Sequence, residues 1–255
     1  MQIYIKNESE IKKIATACKL ATNVLEMIES YIKKDITTNE INEICHEYII
    51  NDLKATPASL NYHGFPKSIC TSLNNQVCHG IPNNKKLKSG DILNIDVTIM
   101  KNGYFGDTSK MFIIDTTDIK AQRLIETCKE CLYMAIKKLK PGEYFNIIGE
   151  TIENHANSKG YSVVKEYCGH GIGKFLHEDP LILHYKNIPN KLKMQSGMIF
   201  TIEPMINAGK EHVRLLDDNW TVVTKDNSLS AQWEHTILIT ENSYKILTLR
   251  KEEKI

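Results

Sequence analysis

The chain has 255 residues, of which 42% are apolar and 25% charged, with a formal net charge of +1. That length suits one large domain or two small ones, with enough apolar residues for a sizeable core. The balanced charge gives no electrostatic footing for nucleic acid or an anionic membrane, and no apolar run approaches the roughly 20 residues of a spanning helix.

In chain order, the opening MQIYIKNESEIKK lacks the apolar core of a secretory signal and is not an Arg-rich transit peptide. Ile11, Ile14, Ala15, Cys18, Ala21, Leu25 and Ile28 form a helical stripe across residues 8–33. Thr37-Thr38-Asn39-Glu40 is a capping box that opens a second helix running to about Lys54. A hairpin follows near residue 91. The spacing then predicts a helix from Asp118 to about Leu139, stopped by Pro141-Gly142, and another from Phe145 to Ser158 with Gly160 after its end. Cys128-x-x-Cys131 lies in the first of these without a second pair, so it reads as helix residues rather than a zinc or redox motif. The remainder alternates β-branched runs with turns such as Asp218-Asn219 and Glu241-Asn242. Seven cysteines, an odd number without disulfide-like spacing, predict reduced thiols and a cytoplasmic location. No low-complexity linker or repeat interrupts the chain, which points to a single α+β domain over residues 1–255.

The hairpin carries the first chemical signal. Asn102-Gly103 tolerates positive φ at both positions, as a two-residue type I′ turn requires. With that turn, Lys101 pairs with Tyr104, Thr98 with Asp107 and Asp96 with Ser109. Paired residues share a face and faces alternate, so Asp96 and Asp107 are same-face diagonal neighbours, their Cβ atoms about 7 Å apart or less. A bulge near the turn would undo this register. Two carboxylates so placed repel unless a proton or a cation lies between them.

Four further stretches stand out: Cys168-Gly-His170-Gly-Ile-Gly173, Phe175-Leu176-His177-Glu178-Asp179-Pro180, the strand Met198–Glu203 followed by Pro204, and the strand Ala231–Leu238 with Glu234 embedded. The glycines around His170 let the backbone pass close to a neighbour. They do not form G-x-G-x-x-G and no βαβ unit surrounds them, so nucleotide binding is a weak reading. Singly, each histidine or acid is an ordinary surface or core residue. Together, four carboxylates and one imidazole suit two hard-to-borderline divalent ions with bridging carboxylates, and not a thiolate zinc site. Such paired ions activate water and polarise a carbonyl.

These stretches, with Asn61–Cys70, Val77-Cys-His79-Gly-Ile-Pro82, Gly106–Lys110 and Ser230–His235, occur in the order and spacing of bacterial type I methionine aminopeptidases. The chain resembles that family along essentially its whole length. The resemblance implies the pita-bread fold, two pseudo-symmetric α/β halves around a dinuclear site. It implies two divalent ions per chain, Mn, Fe(II) or Co, with Asp96 on one metal, Asp107 and Glu234 bridging, and His170 and Glu203 on the second. Glu203 would also relay the proton of the attacking water. His79 would contact the scissile amide and help protonate the leaving amine, and His177 would donate to the carbonyl oxygen. Tyr62, Phe65, Cys70, Leu176 and Trp220 would wall the methionine pocket. The sequence departs from the usual pattern at Phe65, Leu176 and Trp233, which stand where tyrosine, phenylalanine and tyrosine are common; none of these removes a metal ligand.

The implied substrates are nascent polypeptide N-termini with a small second residue, met at the ribosome, with no direct nucleic-acid or membrane partner and a monomeric state. Within the same fold, a proline-directed peptidase would carry an N-terminal domain for which the hairpin near residue 91 leaves no room. A type II methionine aminopeptidase would need a helical insertion, whereas 25 residues separate His177 from Glu203 and 30 separate Glu203 from Glu234. A non-catalytic relative would be expected to lack ligands that are all present here.

Overall fold

The computed structural model describes residues 3–186 and 192–253. Helix α1 (Glu8–Ile28) starts at a capping box formed by Asn7 and Glu10 and buries Ile14, Cys18, Ala21, Leu25 and Ile28. It tightens into a 3-10 turn at Glu29–Tyr31, two residues short of the expected end. Helix α2 (Thr38–Glu47) opens on the predicted Thr37–Glu40 box. The expected helix to Lys54 loosens at Tyr48–Asp52 into a π-helical turn, closed by the Leu53 N–H donating to the Tyr48 carbonyl. Helices α3 (Ile119–Ile136) and α4 (Asn146–Ser158) fall within the predicted spans. Cys128 and Cys131 lie buried on α3 as free thiols, their Sγ atoms donating to the carbonyls of Pro204 and Ile152.

The strands, in chain order, are β1 (Thr56–Pro57), β2 (Cys70–Leu73), β3 (Gln76–Cys78), β4 (Ile92–Lys101), β5 (Tyr104–Ile113), β6 (Ser162–Val163), β7 (Gly169–Gly171), β8 (Glu178–Ile182), β9 (Ile199–Ile202), β10 (Met205–Asn207), β11 (Val213–Leu215), β12 (Val222–Thr224), β13 (Ser230–Gln232), β14 (His235–Ile239) and β15 (Tyr244–Ile246). The β4–β5 hairpin has the register predicted from its turn, with Lys101 opposite Tyr104, Thr98 opposite Asp107 and Asp96 opposite Ser109. Asn102 and Gly103 sit at φ 53° and 75°, as the type I′ turn demands.

One strand prediction changes. The expected strand Ala231–Leu238 is two strands, β13 and β14, interrupted at Trp233-Glu234. Opposite it, β9 and β10 are interrupted at Glu203-Pro204. Proline has no N–H for the ladder, so pairing fails there. The register nevertheless runs through the gap, with His235 opposite Ile202 on one side and Gln232 opposite Met205 on the other, so Glu203 faces Glu234. β9 and β14 belong to a five-stranded sheet, β10 and β13 to a three-stranded one, and the double break is where the strand pair passes from one to the other.

Two apolar cores flank this line. α1 and α2 cover β4 with Ala21, Leu25, Ile41 and Cys45 against Leu93, Ile95 and Val97. α3 and α4 cover the second sheet region with Leu124, Leu132, Ile148 and Ile152 against Phe200, Ile206 and Ile237. Each half is thus a helix pair over a sheet, with the acid-bearing strands between them.

A buried ion pair ties the N-terminal stretch to the loop that carries Leu176 and His177. Lys6 Nζ lies 2.6 Å from Glu178 Oε2, with both side chains almost fully enclosed. The other Glu178 oxygen accepts the Phe175 N–H at 3.1 Å. Lys6→Met would leave that carboxylate buried without its cation, at a cost of about 3 kcal/mol. Urea denaturation would read this as a lower midpoint, and changing both partners (Lys6→Met with Glu178→Leu) should recover most of it. An unaltered midpoint in the single variant would show that the pair contributes nothing.

Candidate active site

The polar face of the hairpin does not meet bulk solvent. Asn94 and Thr98 are buried, and half-buried Asp96 looks into a cavity rather than outward. Thr98 donates its hydroxyl to Asp107 Oδ1 at 3.0 Å. Asp96 and Asp107 line the same cavity, and the Asp107 charge adds to burial in raising Asp96.

The other two acids come from the double strand break. Glu203 accepts from the Thr201 hydroxyl at 2.8 Å and from the Gln232 amide at 3.3 Å, and its N–H donates to His184 Nε2 at 3.2 Å. Glu234 has no ladder partner for its peptide groups. Instead its N–H donates to the Ser109 carbonyl at 3.3 Å, and its carbonyl accepts from the Thr108 hydroxyl at 2.8 Å. Those two residues follow Asp107 directly, so β5 anchors one acid and the backbone of another.

His170 stands on β7 between two glycines. A Cβ on Gly169 would collide with the Thr201 carbonyl, and one on Gly171 with the Asp179 carbonyl. The close neighbours expected from the glycine run are therefore β9 and β8. The His170 ring places Nδ1 3.0 Å from the Gly171 carbonyl, which keeps the proton on Nδ1 and the lone pair on Nε2. Nε2 points at Glu203 Oε1, 3.6 Å away, and Asp107 Oδ2, 3.9 Å away. Ligand atoms of Asp107, His170 and Glu234 all lie within 4.8 Å of one another.

A cavity of about 160 Å³ opens above these groups. Every residue that the sequence pointed to lines it: Asp96, Asp107, His170, Glu203 and Glu234, then His79 and His177, then Tyr62, Phe65, Cys70, Leu176 and Trp220. His79 is held at φ 55°, a conformation uncommon for a side-chain-bearing residue, between the rings of Tyr167 and Trp220. Phe65 and Trp220 meet edge-to-face at 5.1 Å. Tyr62 does more than line the wall, because its hydroxyl lies 2.6 Å from His177 Nδ1. Trp233 is not on the wall; it packs in the second core under the Lys129 ammonium, 4.7 Å from its ring.

Sequence reading missed Ser59, Thr98, Tyr167, Cys168 and Met205 as lining residues. Thr98 was available from the register, being directly opposite Asp107. Tyr167 and Met205 adjoin flagged stretches and Cys168 opens one, but nothing in their own pattern shows which way they face. His184 carried no signal, since its role depends on a contact with Glu203 across the sheet.

Burial governs the electrostatics. It pushes Asp107 up to about 6 and, with the Asp107 charge adding, Glu203 up to about 8. Asp96 and Glu234 rise well above the usual carboxylate range through burial first and neighbouring carboxylates second. His170 is lowered to about 3 and His79 to about 4, in both by burial first and the nearby His177 second. Among the described residues, none of the four acids has a Lys or Arg ion-pair partner; their ion-pair contacts are to His170 alone. Four crowded carboxylates and a neutral imidazole with its lone pair turned inward fit divalent cations, and the oxygen-rich set fits hard-to-borderline ions.

A family model for metallopeptidase family M24 matches residues 12–241. The chain belongs to metallopeptidase family M24. A methionine aminopeptidase of Buchnera aphidicola (subspecies Schizaphis graminum) is 59% identical over 256 residues, covering all of this chain and 97% of the relative. The crystal structure of a methionine aminopeptidase from Rickettsia prowazekii superposes with a TM-score of 0.95 at 47% identity, over 97% of this chain and all of that one. A prolidase from Pyrococcus furiosus, 23% identical with a TM-score of 0.74, shares the fold alone, and this chain spans 66% of it. Membership makes the chain a metal-dependent peptidase, and the two helix-over-sheet halves are the pita-bread fold expected from the resemblance.

Acids whose folded pKa is raised contribute stability that is complete below the ordinary carboxylate range and is lost as pH rises through the raised value. The metal-free chain should therefore lose thermal stability between about pH 4 and about pH 8, as Asp107 and then Glu203 are forced to ionise. Mn(II) should restore most at the alkaline end, and its binding near neutral pH should release protons into a weakly buffered solution. A metal-induced gain in Tm that did not vary with pH, with no proton release, would contradict the placement of these acids.

Proposed function

We propose that this chain removes the N-terminal methionine from nascent proteins whose second residue is small and uncharged. The carrying observation is a single cavity with four carboxylates and His170 for a floor and Tyr62, Phe65, Cys70, Leu176 and Trp220 for walls. Asp96, Asp107, His170, Glu203 and Glu234 would hold two divalent ions, Mn, Fe(II) or Co. When bound, such a pair acidifies water and polarises the scissile carbonyl.

The protein groups supply the rest. Glu203 takes the proton of the attacking water and passes it on toward the leaving amine. His177 donates to the carbonyl oxygen as negative charge develops there. The Tyr62 hydroxyl, kept protonated by burial, donates to His177 Nδ1 and so leaves the imidazole proton on Nε2. His79, neutral at physiological pH, contacts the scissile amide from between Tyr167 and Trp220 and helps deliver the proton to the amine. The aromatic rings and the Cys70 thiol suit a polarisable thioether, a contact worth about 0.3–1.5 kcal/mol per ring. The substrate's free α-amine lies at the Asp96 end, which limits the enzyme to chain ends.

The acids come from both helix-over-sheet halves, which supports residues 1–255 acting as one catalytic domain. Among the described residues no helix is long and apolar enough to cross a membrane. In this reading the chain works as a cytoplasmic monomer on polypeptides emerging at the ribosome, without direct contact with nucleic acid.

Metal-depleted protein should release methionine from Met-Ala-Ser only after Mn(II) or Co(II) is added, and should leave Met-Lys-Ser and Ala-Pro-Ser intact. Cleavage of Ala-Pro-Ser instead would overturn the specificity, and no cleavage by folded, metal-loaded protein would overturn the activity. His177→Ala should lower turnover by about 100-fold or more with metal content unchanged, as for loss of a transition-state donor. Asp96→Ala should lose metal and activity together. Equal metal loss in both variants would show that the roles are wrongly assigned.

A further inference from the structure

The side of Glu234 turned away from the cavity is closed by the C-terminal tail. Arg250 there is completely buried, as is Thr248, and Glu253 is nearly so. One arm of the Arg250 guanidinium, Nη2, donates to Glu253 Oε1 at 2.7 Å. The other, Nη1, donates to the Thr108 hydroxyl at 3.0 Å and to the Ser109 carbonyl at 3.3 Å. Those are the same two groups that hold the Glu234 peptide in the strand break: the Thr108 hydroxyl donates onward to the Glu234 carbonyl, and the Ser109 carbonyl accepts the Glu234 N–H.

Arg250 also touches both sequence neighbours of Glu234. Its guanidinium carbon lies 5.3 Å from the Trp233 ring, and Nη2 lies 3.4 Å from His235 Nε2. Thr248 completes the bracket, accepting the Thr236 N–H at 3.0 Å, while the Thr236 hydroxyl donates to the Asp107 carbonyl at 2.7 Å. A buried guanidinium is costly even when paired, and a strand break offers no ladder to fix a peptide in place. Here one buried cation does what the ladder would have done.

We propose that Arg250 is a positioning residue of the metal centre. Through Thr108 and Ser109 it fixes Glu234 relative to Asp107, so that the two carboxylates stay at the separation needed to bridge two cations. The tail from Leu247 to Glu253 is then part of the site, although none of it lines the cavity. This rests on the dinuclear reading above.

The test uses the full chain and the metal alone. Mn(II) binding by calorimetry should resolve two equivalents in the unaltered protein. Arg250→Met should weaken binding by about 10- to 100-fold, the usual effect of losing a group that orients a metal ligand. Thr108→Val, which keeps the Arg250–Glu253 pair and removes only the relay, should weaken it in the same way and decides the matter if Arg250→Met does not fold. Arg250→Lys keeps the charge but not the fork, and should fall between. Excess Mn(II) should restore kcat on Met-Ala-Ser in these variants with KM unchanged. Variants that melt earlier yet bind Mn(II) as the unaltered chain does would overturn the proposal and leave the tail a purely structural element. An unaltered chain that bound no Mn(II) would overturn the metal reading first, and the proposal with it.

Discussion

Four carboxylates and one imidazole crowd a single cavity, and among the described residues no lysine or arginine pairs with them. Charge of one sign at that density is tolerable only if protons or cations neutralise it. Much of the surrounding structure serves to hold the acids together against their repulsion. Two strand pairs supply two acids each, in different ways. In the β4–β5 hairpin the acids are diagonal neighbours on an unbroken ladder. In the β9–β10 and β13–β14 pair they face each other across a double break. A ladder places side chains but consumes the peptide groups; the break frees the Glu203 and Glu234 peptides, which then need partners from His184, Thr108 and Ser109.

The groups around the acids are divided by chemistry. Hydroxyls of Thr98 and Thr201 and the amide of Gln232 donate to carboxylate oxygens and aim them. The Gly171 carbonyl chooses the tautomer of His170, and the Tyr62 hydroxyl pairs with His177 Nδ1. Among the described residues, buried Lys and Arg side chains are kept off the cavity wall. Lys6 with Glu178 secures the loop beneath Leu176 and His177, and Arg250 with Glu253 backs Glu234. A cation on the cavity side would compete with the metals for the same carboxylates.

The prolidase likeness at 23% identity is one of fold alone. On a shared fold, function is set by the site it carries, here the cavity and its walls. Of the three departures from the common pattern, Phe65 and Leu176 are on that wall. Trp233 is not, and its ring instead lies between Lys129 and Arg250, on the far side of Glu234.

The sequence by itself determined whatever depends on short separations. The caps at Asn7 and Thr37, the Asn102-Gly103 turn and hence the full β4–β5 register follow from neighbours a few residues apart, and so does the shared face of Asp96 and Asp107. The kinds of ligand were legible too, because carboxylates embedded in apolar strands are unusual and metal chemistry limits what they can do. The tertiary structure alone decided the rest. Ala231–Leu238 alternates like one strand, and only its partner, with a proline at the facing position, makes it two. His184 and Arg250 act from 19 and 16 residues away in sequence, from the segment after β8 and from the tail, and no periodic pattern records such contacts. Periodicity reports which face a residue takes within its own element; what that face meets is set by how the elements pack, and that is where the site was assembled.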